Sequence, residues 1–337
     1  MENHSPRNRL ALTSKALRSE VVDLDRQSLL IAKIEGSIQE KDLKKKPNCR
    51  GYGRIRHFFR LRENSKWVDD PLPIDPACKA LGQSFPAMLE AQVFQIAACN
   101  LNCWYCFVPR ELLAGNKSPS AWFTAEELLD LYFAEKNRPM VFDFSGGHPD
   151  LAPEWVLWSM ETLIRKDLQD RVYLWSDDNL TTDFTWSLLD KSGFNLLKEY
   201  KNFGRVGCLK GFDPGSFSFN TGESANLLTF QFELLKKLVV SGIDTYAYVT
   251  FTTETLEYSK EKMGKFVDDL QRIHPNLPLR TVPLEVVAFE PVKQRMTPSY
   301  SEALENQYKV LIYWKEEIES RFSLEERTKR IFEIPLT

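Results

Sequence analysis

Short apolar runs alternate with longer segments of helical periodicity from about residue 90 to the end of the chain. Runs rich in apolar, β-branched and aromatic residues are typical of buried strands, whereas apolar residues repeating every three or four positions predict amphipathic helices. The pattern predicts strands at residues 91–97, 140–145, 171–176, 204–210, 244–251 and 281–289. It predicts helical segments at residues 124–136, 153–166, 182–201, 225–240, 255–273 and 300–322.

Six strand–helix units in succession predict an α/β fold with a parallel sheet covered by helices. The pattern alone leaves the closure of the sheet open, between a doubly wound sheet and a full or partial barrel. In both architectures, ligands bind at the carboxyl ends of the strands. Polar or glycine-rich segments follow each of the first four predicted strands, so we expect the functional site at that end.

The first 87 residues lack this alternation. Residues 21–34 have helical periodicity, and residues 71–82 contain three prolines and predict an irregular connector. Residues 44–62 are basic, with aromatic residues interleaved. We favour an antiparallel strand pair with a solvated basic face there, and a patch that binds a nucleotide, a nucleic acid or an acidic partner stays open as the alternative.

Composition narrows the class of protein. The chain has 337 residues, of which 43% are hydrophobic and 12% aromatic, as in globular proteins. A formal net charge of −3 gives no reason to expect a nucleic-acid binder. The first residues lack the apolar run of a signal peptide, and no stretch is long and apolar enough for a transmembrane helix. We therefore expect a cytoplasmic protein with neither a membrane nor a nucleic-acid partner.

Three of the six cysteines lie close together in the loop after the first predicted strand. Cys99, Cys103 and Cys106 have the spacing C-x3-C-x2-C. In a reducing compartment, clustered cysteines are more often metal ligands or catalytic groups than disulfides. A structural zinc site normally has four protein ligands, often in two pairs, and no second pair occurs here. Three thiolates favour a [4Fe–4S] cluster with one open iron, and a non-catalytic zinc-binding scaffold is the alternative.

The segment CNLNCWYC resembles the cysteine motif of the radical S-adenosylmethionine (SAM) superfamily. Tyr105 occupies the place of the aromatic residue that usually precedes the third cysteine, and the motif follows the first strand of a six-unit domain. The resemblance implies a partial (βα)6 TIM-like barrel at residues 88–298. Residues 1–87 would then form an N-terminal extension, and residues 299–337 a C-terminal helical extension.

The resemblance also implies a reaction. In that superfamily, three cysteines hold a [4Fe–4S] cluster whose fourth iron is chelated by SAM. One electron from a low-potential donor, such as flavodoxin or ferredoxin, leads to cleavage of SAM, and the resulting 5′-deoxyadenosyl radical abstracts a hydrogen atom from the substrate. The cofactor carries this chemistry, and the protein supplies binding and orientation. No second cysteine cluster is visible, which argues against the members with auxiliary clusters.

Further SAM contacts are implied at the ends of the second, third and fourth strands. Gly146 and Gly147 match the family's Gly-Gly-Glu segment, with His148 in place of the glutamate. Lys210 matches the lysine of an Asp-x-Lys pattern, with Cys208 in place of the aspartate. The expected cofactor contacts are Tyr105, Ser145, Gly146, Gly147, Ser176, Asn179 and Lys210.

The motif assigns no catalytic side chain, and two substrate classes stay open. Lys210 and the turn at Asn179 resemble activating enzymes of the superfamily, which would imply a protein or peptide substrate. The basic stretch at residues 44–62 is the hint of a small-molecule or nucleotide substrate.

Overall fold

The computed structural model describes residues 5–63 and 65–336. The strands in that part of the chain are β1 (Val22–Asp23), β2 (Ser28–Ala32), β3 (Gly53–Phe59), β4 (Met88–Phe94), β5 (Ser120–Thr124), β6 (Val141–Phe144), β7 (Tyr173–Asp178), β8 (Phe203–Leu209), β9 (Thr245–Thr250) and β10 (Thr281–Leu284). The α-helices there are α1 (Pro6–Val21), α2 (Ile74–Ala80), α3 (Ala125–Ala134), α4 (Glu154–Arg165), α5 (Phe184–Ser187), α6 (Lys191–Glu199), α7 (Pro214–Thr221), α8 (Leu227–Ser241), α9 (Ser259–Ile273), α10 (Glu290–Lys293), α11 (Pro298–Arg321) and α12 (Leu324–Thr328).

The main sheet has seven strands in the order β10-β9-β8-β7-β6-β4-β3. Strands β4, β6, β7, β8, β9 and β10 pair in parallel, and β3 pairs antiparallel with β4. A doubly wound sheet reverses its strand order at a switch point, whereas these six parallel strands follow chain order without reversal. The predicted α/β fold, a partial (βα)6 barrel with N-terminal and C-terminal extensions, is therefore confirmed.

Side chains alternate between the inside of the curled sheet and its helix-covered outside. Near the amino ends of the strands the inside is filled by aromatic and aliphatic residues, and α2 packs among them; they include Tyr173, Trp175, Val206, Tyr246 and Val282, with Ile74 and Ala77 of α2. The outside packs against the helices through strand residues such as Phe142, Phe144 and Leu174, and Trp155 of α4 lies against Phe144. Apolar residues thus close one end of the barrel, and polar side chains occupy the other.

The predicted helix at residues 21–34 is wrong. Strands β1 and β2 form an antiparallel hairpin there, and β2 also pairs with β5 in a separate three-stranded sheet. Gln27 has a positive φ of 49° in the connecting turn, a conformation that helices do not contain. Every residue of β2 is buried, and a short continuous apolar run fits a buried strand as well as a helix.

Three other expectations need correction. The proline-containing segment at residues 71–82 includes helix α2. Residues 44–62 contain the single strand β3, and its partner is β4 rather than a second strand of the same segment. The sixth parallel strand ends at Leu284, because the side chain of Gln307 on α11 accepts a hydrogen bond from the amide of Val286 at 3.0 Å and donates one to its carbonyl at 2.9 Å.

The predicted helix start at Thr124 is confirmed. Its hydroxyl accepts a hydrogen bond from the amide of Glu127, and the Glu127 carboxylate accepts one from the amide of Thr124. Within the described part of the chain, no helix combines the length and the apolar character needed to cross a membrane.

A buried ion network fastens the turns that follow β6 and β7. Arg205 on β8 pairs with Asp150 and, at 2.9 Å, with Asp178. The other oxygen of Asp178 accepts a hydrogen bond from the amide of Leu180 at 2.7 Å. All three charged side chains are at most 1% exposed. One guanidinium therefore holds two neighbouring turns at the carboxyl edge of the sheet.

Replacement of this arginine tests the network. Arg205→Met leaves two carboxylates buried without their cation, so we expect the free energy of unfolding to fall by about 3–5 kcal/mol. Arg171→Met, at an exposed arginine that precedes β7, should change it by no more than about 0.5 kcal/mol. Urea unfolding measures both, and equal losses in the two variants would contradict the assigned role.

Candidate functional site

The cysteine loop, residues 95–109, begins where β4 ends. The carbonyl of Gln95 accepts a hydrogen bond from the amide of Ala32, and the amide of Ala97 donates to the carbonyl of Leu30. The amide of Cys99 donates to the carbonyl of Leu113 at 3.0 Å. The N-terminal hairpin therefore supports the loop from one side, and the segment after the loop supports it from the other.

The three thiols lie in a partly enclosed part of the site. Cys103 is buried, and Cys99 and Cys106 are half-buried. Burial raises the pKa of Cys99 to about 12 and that of Cys103 to about 11, and it also raises the pKa of Cys106. Thiolates in such a place need a compensating cation, which a bound metal supplies.

The chemistry of the donor set is compatible with an iron–sulfur cluster. Among the residues that the structure describes, no three His, Cys, Asp or Glu side chains are arranged as ready ligands of one metal ion. The three thiols nevertheless lie on one loop and lie close enough for Cys103 and Cys106 to affect the pKa of Cys99. Thiolates are the ligands of iron–sulfur clusters, so the chemistry of the donor set fits that group.

Asn179, after β7, contacts the cysteine loop directly. Its side-chain amide donates to the side-chain oxygen of Asn100 at 2.9 Å and lies 3.9 Å from the sulfur of Cys99. Asn100 donates in turn to the hydroxyls of Thr181 and of Ser14 on α1, each at 2.8 Å. An amide network thus joins the first cysteine to the turn after β7 and to the N-terminal helix.

Gly146 and Gly147 seat the turn after β6 against the same loop. Both have positive φ values, 85° and 70°. A Cβ atom on Gly147 would lie less than 3.0 Å from the carbonyl oxygens of Ile96 and Ala98. The amide of His148 donates to the carbonyl of Ala98 at 2.7 Å. Gly147 therefore permits close packing of two backbones, and Gly146 permits close approach of the Gln95 side chain; neither reason for glycine requires a ligand.

His148 is enclosed in this turn and only 1% exposed. Its Nε2 lies 3.2 Å from the hydroxyl of Thr182, and its Nδ1 has no hydrogen-bond partner among the described residues. Burial, reinforced by the nearby charges of Arg205 and Lys210, lowers the pKa of His148 to about 3. The imidazole of His148 is therefore neutral in the folded chain at ordinary pH.

The two predicted serine contacts lie on opposite sides of the sheet. The hydroxyl of Ser145 donates to Asp177 at 2.6 Å and accepts from Arg56 at 3.1 Å inside the barrel. Ser176 alternates with Asp177 along β7 and points to the helix side. The structure therefore brings Ser145 into the interior and does not bring Ser176 there.

Lys210 lies just after β8, beside the cysteine loop. Burial alone would lower its pKa, but the nearby side chains of Cys208, Tyr105 and Cys103 raise that pKa above its usual value. The hydroxyl of Tyr105 lies 3.4 Å from that of Thr250 on β9. No carboxylate within the described ranges forms an ion pair with Lys210. The lysine is therefore a half-buried cation next to the thiols.

Sequence reasoning missed the two arginines of β3. Arg54 is 3% exposed, and Arg56 pairs with Asp143 and Asp177 at 2.9 Å each. Their alternation with Ile55 was the available signal, since every second residue of a strand faces the same side. The basic face expected to be solvated therefore lines the barrel interior.

Comparisons with known proteins find only distant structural likeness. No family model matches the chain, and no curated protein sequence matches it. Streptococcus suis SuiB bound to the precursor peptide SuiA has a TM-score of 0.43 and 18% identity, over 67% of this chain and 45% of that one. SuiB bound to S-adenosylmethionine has a TM-score of 0.35 and 20% identity, over 52% of this chain and 36% of that one. The chain spans less than half the length of these proteins, and the fold assignment above rests on the strand order.

The backbone contact at Gly147 can be tested by adding one methyl group. Gly147→Ala introduces both an unfavourable φ and a collision with two carbonyls, so we expect a loss of at least about 3 kcal/mol in the free energy of unfolding. Gly82→Ala is the matched control, because Gly82 has a φ of 63° and no neighbour within 4 Å of the added atom. The control should lose about 1–2 kcal/mol. Similar losses in urea unfolding would refute the close contact.

The buried imidazole predicts a pH dependence of stability. The folded chain resists protonation of His148 down to a pH of about 3, whereas the unfolded chain takes up the proton below about 6.5. Stability from this residue is therefore present above pH 6.5 and is lost as the pH falls, by up to about 1.4 kcal/mol per pH unit.

His148→Gln should remove this part of the slope, measured by urea unfolding at pH values from 6.5 down to about 5. Thr182→Val removes the neighbouring hydroxyl but keeps the imidazole, and it should retain the slope. An unchanged slope in His148→Gln would show that the imidazole is protonated in the folded protein.

Proposed function

We propose that this protein is a radical SAM enzyme with one [4Fe–4S] cluster, held by Cys99, Cys103 and Cys106. The observation that carries the proposal is the C-x3-C-x2-C loop placed between the first parallel strand of a partial (βα)6 barrel and the helix that follows. That end of the barrel is where ligands bind in this architecture. When bound, the cluster supplies the electron that cleaves SAM to a 5′-deoxyadenosyl radical.

The surrounding residues supply binding and orientation. Lys210, a cation without a carboxylate partner among the described residues, is suited to the carboxylate of SAM. The turn at Gly146 and Gly147 would offer backbone carbonyls to the amino group, with Ser145 beside it. Asn179 orients the loop at Cys99, and Tyr105 packs against Thr250.

Ser176 lies on the helix side of β7, and its hydroxyl has no partner within the described ranges, so we propose no direct contact between Ser176 and SAM. The flanking regions complete the assignment. Residues 88–298 would form the catalytic core, residues 1–87 would close the barrel wall, and residues 299–337 would pack as a helical extension.

The remaining requirements follow from the proposed reaction. A low-potential donor such as flavodoxin or ferredoxin would reduce the cluster in the cytoplasm. The substrate, from which a hydrogen atom is removed in an oxidoreductase or activase type of reaction, is a protein, a peptide or a small molecule. A zinc-binding scaffold is the alternative function, because three cysteines and one further ligand could hold zinc.

Metal analysis after anaerobic reconstitution tests the proposal. We expect about four irons per chain, the visible absorbance of an iron–sulfur cluster, and 5′-deoxyadenosine formation when SAM and dithionite are added. Cys103→Ser removes one of three ligands and should lose most of the iron and all of the 5′-deoxyadenosine.

Cys78→Ala is the matched control, since Cys78 is a buried cysteine on α2, within the apolar cluster at the other end of the barrel. It should keep the full iron content. A wild-type protein that holds one zinc ion and no iron would overturn the proposal in favour of the scaffold.

A further inference from the structure

Arg56 enters the barrel from outside the six parallel strands. It lies on β3, the antiparallel strand at the β4 edge, and its guanidinium reaches across to β6 and β7. One nitrogen, Nη1, makes all of its hydrogen bonds: to Asp143 and Asp177 at 2.9 Å each and to Ser145 at 3.1 Å. The ring of Phe58 lies 4.2 Å from the guanidinium carbon. The group is therefore fixed in position before any ligand binds.

The other two nitrogens of Arg56 are unused. Neither Nε nor Nη2 has a hydrogen-bond acceptor within the described ranges. Neither atom is fully buried. The Arg56 side chain is 22% exposed, so part of it is open to solvent. Nε and Nη2 carry two parallel N–H bonds on one edge of a planar group, the arrangement that binds both oxygens of a carboxylate.

The position of this edge relates it to the cysteine loop. The charges of Lys210, Asp177 and Arg56 all affect the pKa of Cys208. Lys210 itself lies beside Cys99 and Cys103. Asp177, which pairs with Arg56, is in register with Val206 on β8. Cys208 follows on the same face of β8 and Lys210 lies just beyond the strand, so Arg56 is deeper in the barrel than Lys210.

The charges around Arg56 favour a ligand with a single negative charge. Arg54 and Arg56 face two carboxylates, Asp143 and Asp177, and burial raises the pKa of Asp143, so part of the positive charge of the two arginines is left unbalanced. The third carboxylate nearby, Asp70, accepts hydrogen bonds from Tyr248 at 3.0 and 3.1 Å. Burial raises the pKa of Asp70 to about 7, so this carboxyl carries only part of a negative charge at neutral pH and attracts the cations less. A ligand with one negative charge balances the charges around Arg56, whereas a dianion would leave an excess of negative charge there.

We propose that Arg56 binds a carboxylate of the substrate and holds it inside the barrel beneath the cysteine loop. The substrate is then a carboxylate-bearing molecule, through a chain terminus, an acidic side chain or a free acid. The identification of this ligand as the substrate rests on the proposed function, whereas binding of the carboxylate itself depends only on the chain.

Fluorine NMR on the full-length chain tests carboxylate binding without any reaction. The probe is 4-fluorobenzoate, with 4-fluorobenzamide as its neutral counterpart and 4-fluorophenyl phosphate as the competing anion. We expect line broadening for the benzoate and none for the amide. Arg56→Lys keeps a cation for both aspartates but lacks the free edge, so the benzoate affinity should fall by about tenfold or more. Arg26→Lys, at an arginine whose side chain is 81% exposed, should leave the affinity unchanged.

A second variant keeps the test informative if Arg56→Lys does not fold. Asp177→Asn preserves a hydrogen-bond acceptor for Nη1 and removes one competing charge, so it should tighten benzoate binding. Lys210→Gln separates the two cations. Binding that is lost in Lys210→Gln and kept in Arg56→Lys would overturn the proposal, as would tighter binding of the phosphate than of the benzoate.

Measurements before and after anaerobic reconstitution distinguish this proposal from the proposed function. Carboxylate binding in a chain that takes up no iron would support the anion site and contradict the enzyme. A chain that takes up iron and forms 5′-deoxyadenosine, but binds the benzoate no better than the amide, would support the enzyme and contradict the anion site.

Discussion

The close approach of the turn after β6 to the cysteine loop is the contact on which the candidate site depends. Gly147 meets the carbonyls of Ile96 and Ala98 with no side chain between them, and the amide of His148 donates to Ala98. The cysteine loop has no regular secondary structure of its own over most of its length, so its shape is set by such external contacts. Asn179 adds a second contact from the next turn. Two consecutive strand ends thus fix the place of three thiols.

Buried charge is distributed on both sides of the sheet, with different consequences. Outside, Arg205 is enclosed with Asp150 and Asp178, and the network is closed to solvent. Inside, Arg56 is satisfied on one nitrogen and open on the other two. Breaking a buried pair costs several kcal/mol, so both arginines are held firmly by their carboxylates. The first is a structural fastener, and the second retains unused hydrogen-bonding capacity.

The parallel core was predictable because each strand end and helix start has a local signal. Thr124 and Glu127 form a capping box, and each parallel strand is a short apolar run. The structure of the N-terminal region was less predictable from its own sequence, because it depends on partners far along the chain. Strand β2 is defined by pairing with β5, nearly a hundred positions further along the chain, and its apolar run also fits a helix.

The residues of the candidate site also divide into those that the sequence predicts and those that depend on tertiary structure. The cysteines and Lys210 stand out by spacing and by resemblance, and the structure places the lysine beside the thiols. Arg54 and Arg56 were assigned to a solvated face because charged residues on a short strand are usually exposed. Their burial follows from the position of β3 at the β4 edge, which curls over the interior. That position is a tertiary property, and no pattern within residues 44–62 contains it.

Strand β3 also limits how this protein can be divided. Without residues 1–87, strand β4 would become an open edge with a row of unpaired backbone groups, and such edges pair with other chains and aggregate. The motif-bearing barrel is therefore not a separable module, because its outer wall and two of its internal cations are encoded before it. In evolutionary terms, exchange of the N-terminal segment alone would alter the inner surface of the barrel while leaving the cysteine motif untouched. The inner surface of the barrel and the chemistry of the cysteine motif can then diversify independently within one fold.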